Sequence, residues 1–336
     1  MQNLPRGDTS EVKKTFTSRF DNPEWLVWAV QAGVIPEEVK DWCMQELAEG
    51  RPAGAIVECD YTALEVVTLA AFSKDQALID ALLAGTDMHC LRLSKKLGEP
   101  YDDVLLKCKD EEHPEHKEYK KMRTDIKPPS FAYQYGATAM GIAFATGCTV
   151  EYAEEFIANE KALFPDVEKF YTEHVFAEVE ASATLHREQT ESGGWRLYKR
   201  GTWTSPAGTR FEFRQYPKAQ WVDGQRIELM EFKPTQMRNY PIQGESGFFV
   251  QGMAGQVARW LIQRGFFGGR AFIVNQVHDA LYLDCTRDVV RVVALTVKHI
   301  MEQLPEFFKQ YGYDLGVPFP AAAEYGPNMF EKKEIK

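Results

Sequence analysis

Ala55-Ile-Val-Glu-Cys-Asp60-Tyr-Thr-Ala-Leu-Glu65 passes from an apolar run straight into a carboxylate. Ala55, Ile56 and Val57 have the composition of a buried strand, and Asp60 stands at its mouth. The arrangement recurs far along the chain, where Ala271-Phe-Ile-Val274 leads into Asn275-Gln-Val-His-Asp279-Ala280-Leu281. A buried carboxylate without a partner is destabilising or gives up its charge. Two of them brought together repel each other unless a cation lies between. Hard divalent cations such as magnesium take oxygen ligands, commonly one or two carboxylates completed by substrate phosphates. A pair of such ions about 3.5–4 Å apart is the device of two-metal phosphoryl transfer. Taken singly, each aspartate reads as a turn former or a cap.

A third run lies between them: Arg123-Thr-Asp-Ile-Lys127-Pro-Pro-Ser-Phe131-Ala-Tyr-Gln-Tyr135-Gly136. Arg123, Lys127, Phe131 and Tyr135 recur every fourth residue, which on one helix makes a stripe of two cations and two rings. Cations suit a polyphosphate; aromatic faces suit a base and a template. An amphipathic helix with basic ends and a core-facing aromatic pair fits the same spacing.

In this order the three runs resemble motifs A, B and C of the family A DNA polymerases. Asp60-Tyr-Thr-Ala-Leu-Glu65 is similar to the family's Asp-Tyr-Ser-X-X-Glu, and Arg123 to Gly136 to its Arg-X3-Lys-X3-Phe-X3-Tyr-Gly. Gln276-Val-His-Asp279 is similar to its Gln-Val-His-Asp-Glu, with Ala280 in place of the final acid. Weaker likenesses bridge the gaps: Gln2-Asn-Leu-Pro5, Gly85-Thr-Asp87-Met-His89 and Asn239-Tyr-Pro-Ile-Gln243-Gly244. They carry the resemblance from near residue 2 to the tail at 318–330.

The resemblance implies an α+β fold, with an antiparallel-sheet palm at both ends of the sequence and mostly helical fingers inserted between. It places palm at 1–66 and 232–336 and fingers at 67–231. Asp60 and Asp279 would hold two magnesium ions, with the Tyr61 carbonyl as a further ligand. Arg123 and Lys127 would grip an incoming dNTP, Lys127 also as proton donor to pyrophosphate, and His89 would add a phosphate contact. Phe131 would pack on the nucleotide and Tyr135 near the template. Glu65 would exclude a ribose 2′-hydroxyl. Asn239, Gln243, Gln276 and His278 would line the minor groove of the primer–template DNA. The family's thumb and 3′–5′ exonuclease motifs are not found; either a second polypeptide carries them, as in a split polymerase of phage type, or Met1 is not the native start of the chain. Two departures stand out. Ala280 removes an acid beside Asp279. Pro128-Pro129 means that the motif B helix either starts there or kinks there.

Composition sets the outer bounds. The 336 residues are 44% apolar, enough for more than one core. No apolar run reaches membrane-span length, and the six scattered cysteines read as reduced, which suits a cytoplasmic protein, that of a bacterial host if the chain is phage-encoded. A net charge of −10 sits poorly with DNA binding. The region 187–238 reverses that balance locally, mixing Arg and Lys with Trp195, Tyr198, Trp203, Phe211, Phe213 and Trp221, in a pattern that suits either a strand-following groove or a polar hairpin region. His113-Pro-Glu-His116 lies in a charged run and reads as a solvated face.

Local signals give an extended segment over 4–20, then two helices over about 21–50 that look like an insertion offering a docking surface. Further helices are expected at 65–72, 76–83, 150–163, 167–180, 245–266 and 287–303. Strands are expected at 271–277, 280–285 and 319–324, with aromatic-rich hairpins around 193–224. Two rival readings are a single-subunit RNA polymerase relative and a catalytically inactive DNA-binding or scaffold subunit.

Overall fold

The structure, a computed structural model, describes residues 11–222 and 225–335. The Gln2–Pro5 likeness and the Asp223-Gly224 turn lie outside them.

Helices α1 (Pro23–Gln31) and α2 (Glu37–Ala48) precede strand β1 (Gly54–Tyr61). Then come α3 (Leu64–Ser73), α4 (Gln76–Leu83), α5 (Met88–Leu97), α6 (Tyr101–Lys109), α7 (His116–Asp125), α8 (Lys127–Gln134), α9 (Ala139–Thr146) and α10 (Val150–Leu163). A helical run follows from α11 (Pro165–Lys169) through a π-helical turn at Phe170–Phe176 to α12 (Ala177–Ala181). Strands β2 (Thr184–Gln189), β3 (Trp195–Thr204), β4 (Arg210–Val222) and β5 (Gln225–Phe232) form one antiparallel sheet in that order. Helix α13 (Pro234–Gln263), the single turn α14 (Gly265–Gly269), β6 (Ala271–Val277), β7 (Ala280–Thr286), α15 (Val290–Glu302), α16 (Leu304–Lys309), β8 (Ala321–Gly326) and β9 (Lys333–Glu334) complete the chain.

Two compact units result. One takes the described residues up to Leu64 together with those from Ser246; the other is Glu65–Glu245.

The first unit is built on a five-stranded sheet, β6-β7-β1-β8-β9, antiparallel throughout. Alternation along β1 sends Val57, Cys59 and Tyr61 to one face, where α15 buries Val293, Ala294, Val297 and Met301. The Tyr61 hydroxyl donates to the Met301 carbonyl at 2.7 Å. The other face carries Ile56, Glu58 and Asp60, with Ala280, Tyr282 and Met329 packed beside Ile56. Gly54 is required at the start of β1, because a Cβ there would fall 1.9 Å from Ser18 Oγ. That hydroxyl is needed where it is: it donates to buried Asp284 at 2.6 Å, which also accepts from the Arg19 backbone and guanidinium.

Helices α1 and α2 are integral to this unit. Asn22 caps α1 and Pro23 opens it. Leu26, Ala29, Ile35, Val39 and Cys43 share one buried cluster with Phe20 and Ala53, and Phe272 of β6 packs against it. The residues expected as an insertion thus contribute Leu26, Ala29, Ile35, Val39 and Cys43 to this unit's core. The described part of the expected 4–20 strand differs. It forms short 3-10 turns at Glu11–Thr15 and Arg19–Asp21, with a single bridge from Thr17 to Asn328.

In the second unit α4, α5, α9 and α10 start where short polar side chains cap them: Asp75, Asp87, Thr138 and Thr149 each accept from a first-turn N–H. Cys90, Leu93, Val104, Cys108, Tyr119, Ile126 and Phe156 form a core cluster among α5, α6, α7 and α10. The helix expected from 245 begins instead at Pro234 and runs through Pro241. All six cysteines are free thiols, and no helix among the described residues is long and apolar enough to cross a membrane.

Candidate active site

The first unit brings the two predicted carboxylates together. Asp60 lies opposite Ala280 on β7 and Ala322 on β8, two side chains too small to fill the space around it. Asp279 sits in the two-residue turn joining β6 to β7, whose ends are the pair Val277 and Ala280. His278, the first residue of that turn, has φ +55°, a conformation that disfavours any side chain and is tolerated when the surroundings fix it. The turn aims the Asp279 side chain within hydrogen-bonding reach of Asp60.

Asp60 is the perturbed member of the pair. Burial, then the Asp279 charge, then the Glu58 charge push its pKa from 3.8 up to about 7, with Lys332 acting the other way. Its Oδ1 is buried without a hydrogen-bond partner. A crowded carboxylate with an orphan oxygen is one that a cation would relieve. Among the described residues no three or more His, Cys, Asp or Glu side chains form a metal cage. The donor set is thus two carboxylates plus backbone oxygen, the open chemistry that suits magnesium completed by water and phosphate. Because the Tyr61 ring points to the opposite face of β1, only its backbone is available on this side.

Three further charged residues border the pair, and sequence reading missed them. Glu58 precedes Asp60 by two positions and so shares its face, a signal available from strand alternation alone. Lys332 bridges Glu58 and Glu324, the latter at 3.1 Å, and is nearly buried. Glu58 stands across from Tyr282 and Glu324 in the sheet register. Val277, not Gln276, packs on the face that holds Ala280.

The second unit gathers the other predicted residues. Asp87 caps α5, accepting from the N–H groups of His89 and Cys90, and also binds Arg123 at 2.7 Å and Lys109 at 3.0 Å. Burial opposes its ionisation, but those cations hold it well below the usual carboxylate range. Burial, then the Arg92 and Arg123 charges, lower His89 to about 4, so its imidazole is neutral at pH 7. His89 Nδ1 is buried without a partner, and its ring meets Phe131 edge-on at 6.1 Å. Lys127 adds to the positive field at His89 and forms no ion pair with a carboxylate among the described residues. Phe131 is 52% exposed. Tyr135 donates to Glu65 at 2.8 Å, joining the end of α8 to the first turn of α3.

The single stripe expected from Arg123 to Tyr135 is corrected. Helix α7 ends at Asp125 and α8 begins at Lys127, with the proline pair in its first turn. Proline is tolerated there because first-turn N–H groups have no intrahelical acceptor. Arg123 and Lys127 therefore belong to two helices meeting at Ile126. On α13, Asn239 and Gln243 approach each other at 3.4 Å. The solvated face expected at His113–His116 holds only in part: His116 is buried, while partly exposed His113 accepts through Nδ1 from the Glu115 N–H.

Comparison with known proteins follows the same lines. The family model described as DNA polymerase family A matches residues 45–331. The chain is 27% identical over 296 residues to the DNA polymerase of Bacillus phage SP01, covering 87% of this chain and 27% of that one. It is 23% identical over 293 residues to DNA polymerase I of Geobacillus stearothermophilus, covering 86% and 27% respectively. The chain thus spans about a quarter of the length of these relatives. Its fold is similar to that of the POL domain of Pol1 from M. smegmatis, solved as a complex with DNA primer-template and dNTP. The TM-score is 0.61 at 18% identity, over 98% of this chain and 44% of that one.

Proposed function

We propose, on the premise that this chain belongs to DNA polymerase family A, that it carries out template-directed DNA synthesis from dNTPs on a primed template. In this reading the unit built on β1, β7 and β8 is the palm and the helical unit is the fingers. The observation that carries it is Asp60, with a buried orphan oxygen beside Asp279.

Asp60 and Asp279 would hold two magnesium ions with help from the Tyr61 carbonyl. When bound, such ions supply Lewis-acid activation of the primer 3′-hydroxyl and neutralise charge on the leaving pyrophosphate. The hydroxyl oxygen bonds to the α-phosphorus of the dNTP as the bond to pyrophosphate breaks. Lys127, free of carboxylates, binds the triphosphate and gives a proton to the departing oxygen. Arg123, locked by Asp87, contributes a fixed positive field, and neutral His89 donates a hydrogen bond to a phosphate oxygen. Glu65, held by Tyr135, blocks a ribose 2′-hydroxyl, while Phe131 packs on the nucleotide. Asn239, Gln243, Gln276 and His278 read the minor groove, where acceptors are alike for every base pair.

Primer extension with magnesium tests the catalytic reading. Asp279→Asn should abolish extension while leaving primer–template affinity, followed by fluorescence anisotropy, nearly intact. Extension surviving in that variant would refute it. Purification of the native complex tests the split arrangement: a co-purifying partner supports it, and processive synthesis by this chain alone overturns it.

A further inference from the structure

The ribbon formed by β2 and β3 has its faces inverted. Strand register puts Thr184, His186 and Glu188 on one face with Arg196, Tyr198 and Arg200. This polar face is the covered one. Tyr198 is 5% exposed, His186 stacks on it, and Arg214 lies over its ring at 4.2 Å. Its cations are neutralised: Arg196 by Glu188 and Glu228, Arg200 by Glu212, and Arg214 by Glu188. The opposite face carries Leu185, Arg187 and Gln189 against Lys199, Leu197 and Trp195. Every one of these six is exposed, with Leu185 at 66%, Trp195 at 64% and Leu197 at 56%.

A sheet face that leaves its large apolar side chains in water while its polar face is packed marks a surface kept for something else. Charge says what. The open face holds no acid, and neither Arg187 nor Lys199 forms an ion pair with a carboxylate among the described residues. The whole chain, by contrast, carries −10. The Arg187 guanidinium already lies over the Trp195 ring at 4.8 Å, a planar pair ready to stack on a further flat group.

We propose that this open face of the β2–β3 ribbon binds unpaired single-stranded DNA, with bases stacking on Trp195 and the Arg187 plane, sugars lying on Leu185 and Leu197, and phosphates meeting Arg187 and Lys199. Uncompensated cations beside exposed rings are the combination that single-strand binding uses. The proposal deepens the polymerase reading and rests on it for the nature of the polyanion.

The test uses the full chain without magnesium or dNTP and a fluorescein-labelled oligo(dT) of twenty nucleotides, read by anisotropy across a salt series. Trp195→Ala should weaken binding roughly tenfold. Arg187→Gln with Lys199→Gln should flatten the slope of log affinity against log salt by about 1.4, two single-strand phosphate contacts. A blunt duplex of equal length should be much less sensitive to Trp195→Ala, since its bases are not free to stack. Unchanged affinity and slope in these variants overturn the proposal, as does equal loss on duplex and single strand. Trp195→Ala abolishing self-association, with oligonucleotide binding unaffected, overturns it in favour of a protein partner. Asp279→Asn separates the two readings. If it still extends primers while ribbon-dependent oligo(dT) binding persists, the catalytic assignment falls and the ribbon stands. If extension is lost as expected but oligo(dT) binding ignores the ribbon substitutions, the ribbon falls alone.

Discussion

At the residue scale the chemistry is concentrated in Asp60 and its neighbours. Its pKa rises from 3.8 to about 7 because burial, Asp279 and Glu58 disfavour the ionised form more than Lys332 favours it. The folded state thus holds a proton that the unfolded chain releases at lower pH. Stability from this source is complete below about 3.8 and is lost as pH rises through about 7. Denaturant unfolding of metal-free protein should therefore show a falling midpoint between pH 5 and pH 8 (roughly the span of that titration), and Asp60→Asn should remove that component. Magnesium should stabilise more at the upper end, because binding must displace the proton. A flat wild-type profile would contradict this. Asp60 and Asp279 were legible because each follows an apolar strand and would be destabilised alone. Lys332 was not, because its partner Glu58 is 274 residues away and no local pattern links them.

Elements were legible where local signals agreed and obscure where packing overrode them. Helices α4 and α10 lie where periodicity and caps place them, and the proline pair marked the start of α8. Helix α13 defied its sequence. Pro241 and Gly244 look like breakers, yet buried Met237 and Ile242 hold the helix across them. More surprising is α14, where Gly265, Phe266, Phe267, Gly268 and Gly269 all have φ between +51° and +82°. A left-handed turn disfavours each Phe by about 1–2 kcal/mol. Their rings offset this by packing, Phe266 on Phe272 and Phe267 on Trp260. Gly269 has φ +82°, and a Cβ there would meet Pro36 Cδ at 3.0 Å. Gly269→Ala should lower stability by about 1–3 kcal/mol, measured by chemical unfolding; an unchanged midpoint would argue against the left-handed turn.

At the scale of the whole molecule, the α+β class and the convergence of distant segments on one sheet were readable from three motifs. The resemblance already implied one unit made from both ends of the sequence and a second inserted in it; the bounds of that insert, Glu65–Glu245, required coordinates. So did the standing of residues 21–50. Sequence alone makes them an added hairpin; structure gives them five of seven residues in a buried cluster. With about 1.5–3 kcal/mol for each large apolar side chain buried, deleting residues 21–50 should destabilise the sheet unit severely, seen as a large fall in melting temperature. A deletion variant melting like the wild type would contradict that structural role. One last consequence follows from sheet order. Strand β1 is flanked by β7 and β8, both made roughly two hundred residues or more after it. On a ribosome, roughly two hundred residues separate it from β6, a wait of about 10–40 s. Throughout that interval Ala55-Ile56-Val57 has no ladder to join, so the nascent chain carries a sticky, unmated segment that chaperones or rapid collapse must shield.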